Sequence, residues 1–259
     1  MSAIKRHKFK LDNDSLKIID ELLPKLKYAV TPSNLVRWLE NFEEEDINIA
    51  YDFLYAFEYI PFKELQNRLE EQLILLSTEF NNDDNVLIIP YGKTGKSATF
   101  MTYPLTHCKH YQKIKHQITI DSNPIKFDKK KFTCIIYLDD FIGTGNTFVK
   151  YYKEPNYQSW LNDVKSYHST NFKEFILSTI IMSDVTTNLY CDYDISIKAF
   201  AQVRYKAFDS RNSLFSAFSE VSIYSNFNDK YEKYLKLKQN LKKGYEGTES
   251  LIAYDHNTP

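Results

Sequence analysis

Glycine is scarce in this chain, with six in 259 residues. Such a chain spends a glycine where the backbone needs a positive φ or where a ligand must approach the main chain. Cysteine is scarcer still. Cys108, Cys134 and Cys191 are odd in number and show no C-x-x-C spacing, which excludes a disulfide framework and the common thiolate zinc motifs. The histidines form no H-x-x-x-H pair, and the nearest grouping, His107, Cys108 and His110, lacks further ligands at a compatible spacing. No apolar run approaches the roughly 20 residues that cross a bilayer, and no N-terminal stretch has the order of a secretory signal. Charge of one sign is also lacking. A formal net charge of −1 gives no chain-wide reason to expect nucleic acid or a membrane as partner. A soluble, cytoplasmic protein is expected. What is abundant is aromatic, with 20 Tyr and 18 Phe, and a 43% hydrophobic content can bury one large core or a core with a satellite.

Residues 1–11 are basic and precede four helical patterns. Asp14 or Ser15 can cap the first, which carries Leu16, Ile19, Leu22, Leu23 and Leu26. Thr31-Pro32 opens the second, the third runs from about Asp46 to Ile60 ahead of Pro61, and the fourth spans about Phe62 to Phe80. Residues 1–81 therefore read as a helical N-terminal unit, ended by Asn81-Asn82-Asp83-Asp84-Asn85. From 82 to 259 apolar strands alternate with helical patterns: Val86–Pro90, His116–Ile120, Thr133–Leu138, Phe175–Met182 and Ile195–Val203. That alternation predicts an α/β domain with a doubly wound, mostly parallel sheet. Pro155 interrupts the helical stretch 146–167, residues 213–243 read as helix, and the tail from Gly244 has no regular period.

Four of the six glycines fall in two places, Gly92 with Gly95 and Gly143 with Gly145, each directly after an apolar strand and before a helix. In an open α/β sheet that is the carboxyl edge, where ligands bind. The first loop is Tyr91-Gly92-Lys93-Thr94-Gly95-Lys96-Ser97. It is two residues short of a P-loop, but its lysines make it electropositive and suit a diphosphate. The second follows two acids: Asp139-Asp140-Phe141-Ile142-Gly143-Thr144-Gly145-Asn146-Thr147. Neighbouring residues of a strand point to opposite faces, so both acids can turn to one edge only if the strand ends at Leu138. Carboxylates beside a phosphate cradle can accept from hydroxyls, hold Mg²⁺ through water or stabilise developing positive charge. A ribose phosphate supplies hydroxyls and phosphate together. Ordinary strand-to-helix turns are the simpler explanation for either loop alone, and less so for both in a glycine-poor chain.

The run Leu138 to Thr147 closely resembles the phosphoribosyl-pyrophosphate (PRPP) motif of type I phosphoribosyltransferases, and residues 85–210 resemble that superfamily. The resemblance implies that Asp139 and Asp140 contact ribose hydroxyls in a catalytic role. It implies that Gly143, Thr144, Gly145, Asn146 and Thr147 hold the 5′-phosphate. Tyr91 to Ser97 would bind pyrophosphate, with Mg²⁺ arriving through the ligand and waters and no direct protein ligand. The mobile basic loop of that superfamily would fall at about 104–132, where Lys109, Lys113, Lys115, Lys126 and Lys129 to Lys131 form no clear counterpart. More narrowly, Val36 to Leu39, Phe57 to Ile60 and the closing His256-Asn257-Thr258-Pro259 are similar to phosphoribosyltransferase-like proteins of bacterial conflict (antiphage) operons. In those the chain continues past the position where this one stops, so an interrupted C-terminal element is expected.

Two functions follow from these readings. One is a pentosyltransferase acting on PRPP or a related ribose phosphate or nucleotide. The other is a non-catalytic sensor or effector that keeps the ribose-phosphate site and binds a protein partner of the same operon through the N-terminal helices. A phosphoacceptor receiver domain fits less well, because its acids come from different strands. Nucleic acid stays open on the strength of Lys109 to His116, Lys129 to Lys131 and Lys233 to Lys243 interleaved with Tyr.

Overall fold

The computed structural model describes residues 9–92, 97–205 and 252–255. The chain divides into two compact units, Met1–Pro61 with Tyr205–Pro259, and Phe62–Arg204. The predicted helix over 213–243 lies outside the described residues.

The first unit holds α1 (Asn13–Lys25), α2 (Pro32–Leu39) and α3 (Ile47–Ala56). Asp12, two residues ahead of the first expected cap, accepts the Ser15 N–H at 2.8 Å and starts α1. Thr31 and Asn34 exchange backbone and side-chain bonds in a capping box, and Pro32 occupies the first helical position of α2. Ile19, Leu22, Leu35, Leu39 and Ala50 meet in one apolar core. The third helix stops short of the expected Ile60, at Ala56, because Phe57 turns extended (ψ 131°). Glu58–Ile60 form β1 instead, pairing in parallel with Ile252–Tyr254. Pro61 biases the residue before it toward β geometry. The partner strand is three residues long, too short to show a period in a tail that read as irregular.

The second unit begins with α4 (Phe62–Ser77), which the helical spacing had grouped with the N-terminal helices and which packs across the sheet. Then come β2 (Val86–Pro90), α5 (Ser97–Phe100), α6 (Thr102–Thr106), α7 (Lys109–Ile114) and β3 (Ile118–Ile120). These are followed by β4 (Cys134–Leu138), β5 (Phe141–Ile142), α8 (Asn146–Tyr152), α9 (Pro155–His168), β6 (Lys173–Met182), α10 (Val185–Tyr193) and β7 (Lys198–Arg204). Pro155 opens α9 rather than interrupting a helix, since Glu154 caps it by accepting the Tyr157 N–H at 2.8 Å. α10 escaped the periodicity because only Val185 and Leu189 are buried in a segment rich in Thr, Asn and Asp.

All strand pairs of this sheet are parallel. Leu138 faces Leu177 and Phe141 faces Ile180, so β4 and β5 are one strand line along β6, broken at Asp139 and Asp140. β7 pairs the same β6 residues, Phe175 to Leu177 and Ile180 to Ile181, and therefore occupies the other edge of β6. The order is β3, β2, β4 with β5, β6, β7, which in chain order is the doubly wound 2-1-3-4-5 arrangement. Both faces are covered. Leu87, Ile89, Ile135, Tyr137 and Ile176 pack with Phe148, Tyr157, Leu161 and Leu189 of α8, α9 and α10. The alternate residues Val86, Ile88, Cys134 and Ile136 are fully buried and point to the other face, and α4 lies against β6 and β7. At about 25 cal/mol per Å² of apolar surface, such faces supply most of the stabilisation. The fold is the expected α/β sheet preceded by a helical region. Among the described residues, no helix is long and apolar enough to cross a membrane.

Candidate functional site

The strand order reverses between β2 and β4: β3 lies beyond β2, while β6 and β7 lie beyond β4. A doubly wound sheet opens its ligand crevice there, outside the carboxyl ends of the two central strands. Both glycine turns leave from this point, one after β2 and one after β4 and β5. Lys93, Thr94, Gly95 and Lys96 lie outside the described residues. The positions that flank them carry the geometry. Gly92 has φ +109° and Gly145 φ +79°, both in the region that favours glycine. A Cβ on Gly92 would stand 4.0 Å from Thr147 Cγ2, so the two turns approach each other. A Cβ on Gly145 would meet Val185 Cγ1 at 3.2 Å and Leu189 Cδ2 at 3.5 Å, so the second turn is seated on α10. Within that turn the Asn146 N–H donates to Thr144 Oγ1 at 3.3 Å, and Val149 N–H to Gly145 O at 2.9 Å.

Asp139 and Asp140 occupy the break between β4 and β5, as expected if the strand ends at Leu138. Both are buried, 8% and 2% exposed. Their backbone stays in the sheet: Asp139 N–H donates to Leu177 O at 3.1 Å, and Asp140 O accepts the Thr179 N–H at 3.2 Å and its Oγ1–H at 2.6 Å. Asp139 Oδ1 accepts the Asp140 N–H at 3.0 Å and Ser97 Oγ at 3.4 Å, while Asp140 Oδ1 accepts the Phe141 N–H at 2.9 Å. Burial, and then the charge of Asp140, push the Asp139 carboxyl well above the usual carboxylate range. Two carboxyls held together away from water favour whatever brings them hydroxyl donors or positive charge. Tyr91, expected among the pyrophosphate contacts, is turned inward at 2% exposure. Burial, followed by the Asp139 charge, raises its hydroxyl well above the ordinary phenol value.

On the sheet face under α8 and α9, Tyr137 packs edge-on to Phe148 with ring centroids 5.0 Å apart. Its hydroxyl lies 2.5 Å from that of Tyr157 and donates to Glu174 Oε1 at 2.7 Å, and Lys165 pairs with the same carboxylate. This network accounts for several of the many aromatics as packing between the sheet and α8 and α9. Sequence reasoning missed Ser178 and Thr179, both fully buried in β6. Their signal was a pair of hydroxyl residues inside an otherwise apolar strand. The basic residues at 109–131 are largely engaged elsewhere. Lys126 pairs with Asp121 and Lys129 with Asp163, and Lys131 lies 4.7 Å from the Phe127 ring centroid. His107 Nδ1 meets Tyr103 O at 2.8 Å and His110 Nε2 meets Ser77 Oγ at 2.7 Å. Burial pushes the Cys108 thiol up to about 12.

No curated protein and no solved structure matches the chain. The family model PRTase-CE matches residues 35–259, which takes in α3, both glycine turns, the Asp139-Asp140 break and every strand of the sheet. The chain therefore belongs to the PRTase-CE family, a phosphoribosyltransferase-like family.

Proposed function

We propose that the crevice binds PRPP, or a closely related ribose phosphate or nucleotide, and that the protein transfers the phosphoribosyl group to an acceptor. The observation that carries this reading is the buried Asp139-Asp140 pair at the strand-order reversal, between two glycine turns that approach each other at Gly92 and Thr147. Asp139 and Asp140 would accept from the ribose hydroxyls, which supply the donors that the paired carboxyls favour. The turn Gly143 to Thr147 would hold the 5′-phosphate. The first loop, to which Lys93 and Lys96 belong, would face the pyrophosphate. As the bond from ribose C1 to pyrophosphate lengthens, positive charge grows on the sugar and negative charge on the leaving group. The carboxylates then stabilise the first and the lysines the second. Mg²⁺ would enter with the pyrophosphate, held through its oxygens and waters, and would neutralise the leaving group. No side chain is assigned to it directly.

The non-catalytic alternative has an observation in its favour. The region expected to carry a mobile basic loop is folded into α6 and α7 in part, and Lys126, Lys129 and Lys131 have the partners given above. Titrating PRPP, ribose 5-phosphate and nucleotides side by side with Mg²⁺, then following pyrophosphate release with candidate acceptors, separates the readings. PRPP binding with turnover supports the transferase, and binding without turnover supports the sensor. If Asp139→Asn/Asp140→Asn binds PRPP as well as wild type, both fail. We further propose a role in bacterial antiphage defence with a protein partner on the N-terminal helices. Its support is the resemblance over Val36 to Leu39, Phe57 to Ile60 and His256 to Pro259. Phage plating with and without the intact gene tests it.

A further inference from the structure

The two acids are tied to β6 at two backbone points. Asp139 N–H reaches Leu177 O at 3.1 Å, while Asp140 O accepts the Thr179 N–H at 3.2 Å and the Thr179 hydroxyl at 2.6 Å. Two neighbouring hydroxyls of β6 are used differently here. Ser178 Oγ stays on its own strand and donates to Ile180 O at 3.0 Å. Thr179 Oγ1 crosses to the line of β4 and β5. What it grips is one peptide group. The carbonyl of that group belongs to Asp140, and its N–H, that of Phe141, donates back to Asp140 Oδ1 at 2.9 Å. The Thr179 hydroxyl and the Asp140 carboxylate thus stand at opposite ends of one planar unit. Fixing the plane fixes where its N–H points, and with it the carboxylate that accepts. A donor on the oxygen also polarises the unit and strengthens its N–H as a donor. Thr179 itself is fully buried, so it acts on a ligand only through Asp140.

We infer that Thr179 is a positioning residue: its hydroxyl orients the Asp140–Phe141 peptide, and that peptide aims the Asp140 carboxylate at the sugar hydroxyls. This rests on the reading that the crevice takes a ribose phosphate. It goes beyond that reading by making sugar affinity depend on a residue of β6 that lies outside both glycine turns. A hydroxyl whose work ended at the backbone of the sheet would leave the sugar site indifferent to its removal.

The test titrates ribose 5-phosphate, which spans only the sugar and phosphate end, into the full chain. Thr179→Val keeps the branched shape and the N–H, so Asp140 O retains one donor and only the hydroxyl goes. Losing one neutral hydrogen bond should weaken ribose 5-phosphate by a factor of about three to ten. Thr179→Ser restores the hydroxyl and should recover most of that affinity. Thr179→Cys carries a weaker donor and should fall between the two, which decides the matter even where the valine variant does not fold. Adding Thr179→Val to Asp140→Asn should weaken binding no further, since both act through the same carboxylate. A Thr179→Val protein that binds like wild type, a serine that fails to rescue, or losses that add would overturn the inference. If wild type binds PRPP alone, the same series is read with PRPP. If it binds neither, the ribose-phosphate reading fails, and the orienting role is then decided without ligand. In proton–nitrogen NMR spectra the Phe141 N–H signal should move upfield in Thr179→Val, because its peptide is less polarised and its bond to Oδ1 weaker. Thr179→Ser should return it. A Phe141 signal that stays in place would overturn the inference whatever the ligand.

Discussion

Replacing Asp139 with asparagine should make the ligand-free protein more stable while it weakens the proposed binding of PRPP. Asparagine keeps the Oδ1 that accepts from the Asp140 N–H at 3.0 Å and from Ser97 Oγ at 3.4 Å. What disappears is a negative charge that is 8% exposed and faces another carboxyl. Burying an ionised carboxylate costs several kcal/mol, offset by charge-assisted hydrogen bonds of about 1.5–3 kcal/mol each. The upward displacement of the Asp139 carboxyl says which side wins: burial and the Asp140 charge outweigh the donors. A net gain of about 1–2 kcal/mol is therefore expected, or about 3–6 °C in Tm for a chain of this size. The sign of the pH dependence follows. A carboxyl whose folded value is raised penalises the fold fully above that value, and the penalty disappears as pH falls toward the unfolded value. Thermal melts of wild type and Asp139→Asn should thus differ most at neutral and higher pH and converge in acid. A variant less stable than wild type at pH 7, or a difference that ignores pH, would refute the reasoning. PRPP titrated into the same samples should show the opposite order, tight for wild type and weak for the variant.

Two further perturbations test the frame around the site. Asp84 lies at the amino edge of the sheet, where Asn81 N–H and Lys173 Nζ donate to Oδ2 at 2.7 and 2.8 Å and Thr133 Oγ1 to Oδ1 at 2.8 Å. Burial would raise its carboxyl, but these donors together hold it below the ordinary value of 3.8. Asp84→Asn should cost about 3 kcal/mol in urea unfolding. The wild-type contribution, complete above that ordinary value, should fade as pH falls through the lowered one, the reverse of Asp139. Gly145→Ala should cost about 1–2 kcal/mol from the left-handed backbone alone, and more from the 3.2 Å approach to Val185 Cγ1. Because that strain sits in the turn proposed to hold the 5′-phosphate, ribose 5-phosphate affinity should fall in titration while binding of pyrophosphate alone is spared.

The sheet was legible in the sequence because its central strands are buried on both faces and so read as unbroken apolar runs, Val86 to Ile89 and Cys134 to Leu138. The two turns were legible because glycine is rare and both stand at strand ends. The short elements were not. α5, α6 and α7 have four to six residues each, less than two helical turns, so no period can repeat. The inward turn of Tyr91 was hidden for a different reason. Tyr91 looked like a loop residue next to Gly92, and only packing against Phe148 and Tyr151 turns it inward. The lysines at 109–131 formed no clear counterpart of a mobile loop, and Lys126 and Lys129 pair with Asp121 and Asp163 while staying half exposed.

The deepest cause of the site is a mismatch in counting along β6. From Leu177 to Ile180 is a step of three residues, matched by three from Leu138 to Phe141 on one side. On the other side the same step meets only two, from Phe200 to Gln202, so β6 bulges there. Ser178 and Thr179 are the residues at the bulge, and Thr179 spends both its N–H and its hydroxyl on Asp140 O. Regular ladder pairing is suspended at Asp139 and Asp140, yet both keep a backbone bond to β6. The two acids therefore leave the pleat without entering a loop. A pair of carboxyls on an open loop would spread apart and hydrate. Held on a strand line, with apolar residues on either side, they stay together and dry, which is costly without a ligand and favourable with one. The bulge and the hydroxyl of Thr179 thus help to hold the two acids in place.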